Sequence, residues 1–574
     1  MKVGSALLFT GLLWTASIPV LAAETLRITS LMPCTGWHTE PVQRWCMGVQ
    51  GLSSAKPAVV LDGAPLADTA VVMQPTLLHV SLPQQVQAGV PVWLSDGDRV
   101  SNMVRWNPKG ARVLPLNQDR LEDVAPGVVT AVDLLSLVLK DEASTPEAAL
   151  RIASRHGLQI VGAITALGVY QVRLPADGIV TRQAWIEQLQ ADPQVAAIVI
   201  EDDNRALPED PDDGVEPADQ AGWEANHFSA AVDLYQRTLA TRAAADRERV
   251  RVGIVERGVD FDSLDFRPYA KPCAGANLCV YAYQSPASSR HGSVVTGILA
   301  SSLYPGGNRA FLSRLSRAGG RFDLIIDRGS PSGVIARIAA SVNMVQDGAQ
   351  VLNWSWGIHR LGTLDREGEP VAVNVRSEQA FAGYRRVLER FFVWLEREHP
   401  GVVVVNSAGN SAGDIADHLP AALRSPQLLV VGAHQRSAWS GSLTDVRAVQ
   451  WRESSNRGPR VDIAAAACPG ASLATAARSG RGGGCGTSYA AALVTGTVAA
   501  LLSIDPGLTP LHIKALLREG ALPLAHAADA SAGQAPRTRL RLDMQRTLAL
   551  AIERATARSC MPAQQSAPVT SPDQ

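Results

Sequence analysis

Gly486-Thr487-Ser488-Tyr489-Ala490-Ala491-Ala492-Leu493-Val494-Thr495-Gly496 is a helix start whose surroundings decide the fold. A glycine-rich approach, Gly480 to Gly486, delivers one serine to an apolar run that continues to Leu502. Small and aliphatic residues occupy every face of that run, so it is expected to be a helix buried all round. Ser488 falls in its first turn. Unpaired backbone N–H groups point out of a helix start, and the dipole there favours negative charge. A hydroxyl in that place can become a nucleophile whose developing charge is stabilised. The same Gly-Thr-Ser would also serve as an ordinary helix cap.

Three further stretches bear on that choice. His291-Gly292-Ser293-Val294-Val295-Thr296-Gly297 sets a histidine at another helix start. Val402-Val403-Val404-Val405-Asn406-Ser407-Ala408-Gly409-Asn410 is a buried parallel strand that turns and ends on an asparagine. Val252-Gly253-Ile254-Val255-Glu256-Arg257-Gly258-Val259-Asp260 is a second buried strand, ending on a carboxylate. In an open α/β sheet, strand ends and helix starts gather at one edge, where such folds bind ligands.

In this order the four stretches resemble the subtilisin-type serine peptidases, the subtilases. That family runs acid, histidine, serine along the chain. The resemblance spans roughly residues 220 to 550 and extends to Asn456-Arg457-Gly458-Pro459, followed by Val461-Asp462-Ile463-Ala464-Ala465, which is similar to the segment leading to the family's serine. It implies Ser488 as nucleophile and Asn410, with the backbone N–H of Ser488, as the oxyanion hole. It also implies that Ser355, Trp356 and Gly357 pair with the substrate backbone. Trp356 stands where smaller apolar residues are usual and reads equally as core packing. His291 is the base: a serine hydroxyl is a weak nucleophile until its proton is taken, and imidazole titrates near neutral pH.

The departure is at the acid. Glu256 stands where the family has Asp, and Gly258-Val259-Asp260 and Leu264-Asp265-Phe266 hold the register. Asp260 and Asp262 lie four and six residues further on. A glutamate adds one methylene, roughly 1.3–1.5 Å of reach. Two function classes follow. One is an exported serine endopeptidase, acting through an acyl-enzyme and made as a self-processing proenzyme. The other is a subtilase-fold pseudoenzyme that binds peptides but cuts them weakly or not at all. Retention of Ser488, His291 and Asn410 favours the first.

The remaining chain fits around this centre. Its 574 residues call for several domains. A formal net charge of -1 gives no basic excess for nucleic acid. Residues 1–23 read as a signal peptide: Lys2, an apolar core from Ala6 to Leu21, and small residues at Ala22-Ala23. The apolar run is shorter than the roughly 20 residues a membrane span needs, so a secreted or periplasmic protein without a transmembrane segment after cleavage is expected. Export permits disulfides, and six of the seven cysteines form close pairs: Cys34 with Cys46, Cys273 with Cys279, Cys468 with Cys485. Cys560 is left over. No close Cys/His spacing suggests zinc, so no metal site is assigned. No cofactor is expected. Asp265 matches a calcium-ligand position in some subtilases, but one carboxylate does not make a site of six to eight oxygens.

Residues 24–126 carry short β-type runs between turn residues, such as Ala58-Val59-Val60-Leu61 and Val90-Pro91-Val92-Trp93-Leu94, and suggest a small β-sandwich. Residues 127–204 show a βαββαβ order, the ferredoxin-like α+β unit, with Thr145-Pro146-Glu147 opening the first helix and His156-Gly157 closing it. That unit resembles the inhibitory prodomain of subtilases. Residues 205–222 are acidic and proline-punctuated, a linker open to cleavage. Residues 223–556 alternate strands and helices, as a parallel-sheet α/β catalytic domain would. Residues 557–574 are expected to be a disordered tail. A protein or peptide substrate and the chain's own prodomain are the expected partners, with a monomeric state.

Overall fold

The computed structural model describes residues 25–34, 44–53, 57–66, 70–74, 76–82, 89–107, 110–114, 116–125, 128–204, 220–240, 247–256, 258–273, 275–282, 290–304, 309–327, 333–359, 378–443, 445–468, 485–524 and 539–560. The expected signal peptide, most of the acidic linker, and the chain beyond residue 560 lie outside these residues.

Two antiparallel sheets form the N-terminal region. One has the order Arg27–Pro33, Trp45–Gln50, Leu77–Val80, Ala70–Gln74. The other is built on Ala58–Leu61 and Val90–Asp96. Alternate residues of both sheets, including Ile28, Met47, Leu78, Val59, Val92 and Trp106, share one core, as period-2 patterning requires.

Next come β1 (Val128–Leu139), α1 (Pro146–Arg155), β2 (Gln159–Ile164), β3 (Val169–Arg173), α2 (Ile179–Gln190) and β4 (Val195–Asn204). The strands pair antiparallel in the order β4-β1-β3-β2. Thr145 Oγ1 accepts the Ala148 N–H at 3.2 Å and so caps α1. Both helices cover one face of this sheet, through Ile152, Ile186 and Leu189.

The third region is built from β5 (Arg249–Ile254), β6 (Leu278–Ala282), α3 (Arg290–Ala300), β7 (Arg321–Ile326), α4 (Gly333–Gln346), β8 (Val351–Trp354), β9 (Ile358–His359), α5 (Glu378–Glu398), β10 (Val403–Ser407), β11 (His418–Leu419), β12 (Leu428–Arg436), β13 (Ile463–Ala466), α6 (Thr487–Ile504), α7 (Pro510–Gly520) and α8 (Met544–Cys560). The strands β6-β7-β5-β8-β10-β12-β13 run parallel in that order. Val403 and Val405 face one core with α3 and α6; Val404 faces the other with α4 and α5. Burial on both faces explains the unbroken valine run, since a parallel sheet has no solvent face to alternate toward.

The chain leaves β5 for β7's side and leaves β8 for β10's side. The strand order therefore reverses between β5 and β8, and a crevice opens at their carboxyl ends. Across it lies α6, every residue of which is buried. Among the described residues it is the one helix long and apolar enough to cross a membrane, and its full burial makes it a core helix.

The second region docks on the third. Val138, Ile164, Leu167 and Val199 join the core that holds Phe381, Tyr384 and Leu388 of α5. Tyr384 donates its hydroxyl to Ile200 O at 3.2 Å, and Arg390 donates to Leu167 O at 3.0 Å.

Two expected boundaries move. Gln220–Glu224 is helical, so the linker ends before residue 222. The cause is Trp223, which is fully buried and donates Nε1–H to Cys468 O at 2.8 Å. At the other end, α8 continues to Cys560, past the expected start of the tail at residue 557. Its last turn is held by Thr556 Oγ1 bonding to Ile552 O at 2.8 Å and by an Arg558–Asp505 ion pair.

Candidate active site

Glu256 follows β5 immediately. Ile254 O accepts the N–H of both Glu256, at 3.0 Å, and Asp327, at 3.1 Å, so the chain bends sharply at the strand end. The bend leaves the Glu256 side chain buried with Oε1 3.0 Å from Nδ1 of His291. His291 is the second residue of α3. The carboxylates that the sequence offered as alternatives are engaged elsewhere. Asp262 pairs with Arg27 at 2.5 Å, and Asp260 Oδ1 accepts the Asp262 N–H at 3.0 Å. Glu256 is thus the carboxylate that this strand end brings to the histidine.

Ser488 is the second residue of α6, after Gly486 as N-cap. Tyr489 lies beside His291, with ring centroids 5.8 Å apart. The position of Ser488 is fixed by a relay of buried polar groups. Thr495 Oγ1 donates to Asn353 Oδ1 at 2.9 Å, Asn353 Nδ2 to Ser355 Oγ at 2.9 Å, and Ser355 Oγ to Ser488 O at 3.0 Å. The relay ties α6 to the carboxyl end of β8, and Ser488 Oγ comes 3.5 Å from Ser355 O.

The amide of Asn410 has its orientation set by Thr487. Thr487 donates its N–H, at 2.9 Å, and its hydroxyl, at 3.0 Å, to Asn410 Oδ1. The Thr487 hydroxyl in turn accepts the Gly409 N–H at 3.1 Å. With the oxygen so occupied, Nδ2 is the end that remains as donor. It lies where a β-carbon on Gly486 would stand 2.9 Å away, so residue 486 must be small.

Of the expected substrate-binding residues, Ser355 joins the relay to Ser488. Trp356 turns its ring into the core, 5.0 Å from Trp354 and with Arg337 5.1 Å over its face, so its side chain realises the packing alternative. Gly357 lies against the ring of His418.

Two asparagines hold the site without having been expected among its residues, although Asn456 opens a stretch already noted in the sequence. Asn406 Nδ2 donates to Trp354 O at 2.9 Å and Trp356 O at 3.0 Å, clamping the segment after β8. Asn456 Oδ1 accepts from Ser411 N, Ser411 Oγ and Gly413 N at 2.9–3.1 Å, while its Nδ2 donates to Ala408 O at 2.9 Å. It thereby braces the loop carrying Asn410. The available signal was polarity in apolar surroundings: Asn353, Asn406 and Thr495 interrupt runs that otherwise carry only packing residues.

Three disulfides are present, Cys34–Cys46, Cys273–Cys279 and Cys468–Cys485. The last closes the chain three residues before Ser488. Although no close Cys/His spacing occurs in the sequence, folding brings His79 to 3.7 Å from Cys34 Sγ and 3.8 Å from Cys46 Sγ. Both sulfurs are committed to the disulfide, so this cluster offers one nitrogen and no metal cage. Asp265 is buried, and its Oδ1 accepts the Tyr304 hydroxyl at 3.4 Å.

Comparison with known proteins adds the following. Solved structures with similar chains include the epidermin leader peptide processing serine protease of Staphylococcus aureus, at 16% identity over 73% of this chain and 99% of that one, with a TM-score of 0.45. Fervidolysin of Fervidobacterium pennivorans, a keratinolytic enzyme related to subtilisin, is 18% identical over 77% of this chain and 63% of that one, with a TM-score of 0.44. The protease domain of PatA is 24% identical over 53% of this chain and 94% of that one, with a TM-score of 0.33. No curated protein sequence matches. The family model described as the subtilase family matches residues 247–542, the stretch that holds β5, α3, the Asn410 loop and α6. By that match over half its length, the chain belongs to the subtilase family of serine peptidases.

Proposed function

We propose that the chain is an exported serine endopeptidase, made as a self-processing proenzyme, in which Glu256 takes the place of the usual triad aspartate. The observation that carries the reading is the 3.0 Å contact between Glu256 Oε1 and His291 Nδ1. A carboxylate there holds the Nδ1–H tautomer and leaves Nε2 as the base. Nε2 takes the Ser488 proton as Oγ attacks the peptide carbonyl. The negative charge then forms on the carbonyl oxygen, where Asn410 Nδ2 and the backbone N–H of Ser488 donate to it. Glu256 stabilises the imidazolium. The proton passes to the leaving amine, the acyl-enzyme forms, and a water activated by the same nitrogen releases the acid product.

The proenzyme half of the reading draws on the docked βαββαβ unit. Its last strand, β4, passes Gly333, the first residue of α4, at Glu201 and Asp202 and ends two residues later at Asn204. Fifteen residues, 205–219, separate that end from the helix at Gln220, within reach of a cut by the chain's own site. Three disulfides support an oxidising compartment.

Fluorophosphonate labelling of the purified protein tests the chemistry. Labelling that disappears in Ser488→Ala, with peptide hydrolysis lost in parallel, is expected. An unlabelled, correctly folded parent protein would reduce the chain to a peptide-binding member of its family.

A further inference from the structure

The relay through Asn353 and Ser355 restrains Ser488 from the side of β8. The chain that leaves β13 approaches it from another side. Ala467 O accepts the Gly486 N–H at 2.9 Å, and Cys468 is bridged to Cys485. Gly486 is the N-cap of α6 and stands two residues before Ser488. Ala466 to Cys468 is therefore a seat for the first turn of α6. That seat is held by the first described stretch after the linker. Trp223 is fully buried and donates Nε1–H to Cys468 O at 2.8 Å. Asn226, also fully buried, accepts the Ala466 N–H on Oδ1 at 3.1 Å and donates Nδ2 to Leu542 O at 2.7 Å. The two ends of the seat are thus bonded to residues 240 and 245 positions earlier in the chain. An indole N–H is a donor only, and its ring here packs 5.2 Å from Phe228, so the Cys468 carbonyl is tied to a group that the core holds still.

Resting on the peptidase reading, we propose that Trp223 is a positioning residue for Ser488, acting through Cys468, and that the stretch Trp223 to Asn226 must stay on the catalytic chain for that chain to be active. The self-processing cut is thereby bounded. A cut before Trp223 keeps both bonds to the seat, whereas one beyond Asn226 puts both donor and acceptor on the fragment that leaves. The part of the chain nearest the cut is then also part of the support of the nucleophile.

The test compares peptide hydrolysis, normalised to fluorophosphonate-titrated sites, with melting temperature across a set of variants. Trp223→Phe keeps a buried ring but has no N–H to give. Its kcat per titrated site should fall at least about tenfold with KM little changed, since a small misplacement of a reacting group is costly. Leu239→Ala truncates a buried side chain of the same core at the far end of the next helix, Phe228–Ala240. It should lower the melting temperature and leave kcat per titrated site near that of the parent. Joining Trp223→Phe to Cys468→Ser and Cys485→Ser should cost less than the product of the separate losses, because a severed bridge carries less of the displacement to Ser488. Unchanged kcat per titrated site in Trp223→Phe, an equal loss in Leu239→Ala, or strictly multiplicative losses would each overturn the inference while leaving the peptidase reading intact. So would a fully active mature chain that begins beyond Asn226 and is separated from its N-terminal fragment. A parent protein that fluorophosphonate does not label at all would instead overturn that reading, and the inference with it.

Discussion

At the scale of single residues, the position that separates this chain from the usual pattern is Glu256, and two substitutions define its role. Glu256→Gln keeps the shape but can no longer stabilise the imidazolium. Turnover should fall by several orders of magnitude; in subtilisin, losing the acid alone costs about 3 × 10⁴. Glu256→Asp withdraws the carboxylate by about 1.5 Å, one carbon–carbon bond, from a contact that now measures 3.0 Å. Activity should therefore drop although the family's own residue is restored. A rise in kcat would mean that the backbone does not depend on the longer side chain. Asn410→Ala should cost about 10²–10³ in kcat, the scale seen when a subtilisin loses its oxyanion donor, with KM little changed. The sequence placed Ser488, His291 and Asn410 through flanking glycines and small residues, which are local signals. The register of Gly258-Val259-Asp260 and Leu264-Asp265-Phe266 pointed to Glu256 over Asp260 and Asp262, but the contacts that set these carboxylates apart are not local. They are the bend at Ile254 and the pairing of Asp262 with Arg27, more than two hundred residues away.

At the scale of elements, the loop bearing Asn410 has little regular structure to hold it, and Asn456 supplies the brace. Replacing Asn456 by alanine leaves the Gly413 N–H and the Ala408 carbonyl without their partner. The Ala408 carbonyl is buried, and leaving it unmet costs about 1–3 kcal/mol; the Gly413 N–H is only half-buried and costs less. The expected result is a lower melting temperature together with a fall in kcat of roughly 10- to 100-fold per fluorophosphonate-titrated site, since an oxyanion donor displaced by part of an ångström loses much of its effect. A melting shift with unchanged kcat per titrated site would show that the loop holds its shape alone. The Cys468–Cys485 bridge restrains the segment before Ser488 in a similar way. A loop of that length is worth about 3 kcal/mol in chain entropy, so Cys468→Ser with Cys485→Ser should destabilise the protein by that order, measured by urea unfolding. Long elements were legible in the sequence because their periodicity is strong: α4 spans Gly333–Gln346 as the apolar pattern predicts, and α6 is buried on every face. The two-residue strands β9 and β11 were not legible. Two residues carry no period, and their pairing exists only because the segments after β8 and β10 bring them together.

At the scale of the whole molecule, the proposed proenzyme requires the docked βαββαβ unit to leave before substrates enter, and one buried group should make that release depend on pH. Glu201 on β4 is fully buried, bonded by Ser136 Oγ at 2.5 Å and Gln171 Nε2 at 3.3 Å. Its carboxylate faces Gly333 across the interface with α4, where a β-carbon would stand 3.3 Å from Oε2. Burial, with the neighbouring Asp202 adding to it, raises its pKa from 4.5 to about 7. A carboxyl group that holds its proton more tightly when buried favours the docked state below its exposed pKa. That preference is lost as pH rises through the buried value. Docking should therefore be firm near pH 5 and weaken between about pH 5 and 7, by at most about 3 kcal/mol for a shift of this size. After cleavage within residues 205–219, size-exclusion chromatography at a series of pH values should show residues 128–204 retained at pH 5 and released at pH 8. N-terminal sequencing of the retained and released chains identifies the cut, and a fully active mature chain that begins near Glu24 would remove the proenzyme reading. Glu201→Gln separates the pH effect from other titrations. The amide fills the same space and cannot ionise, so retention should become nearly independent of pH across that range. A Glu201→Gln protein that still releases the unit between pH 5 and 7 would place the sensing group elsewhere in the interface.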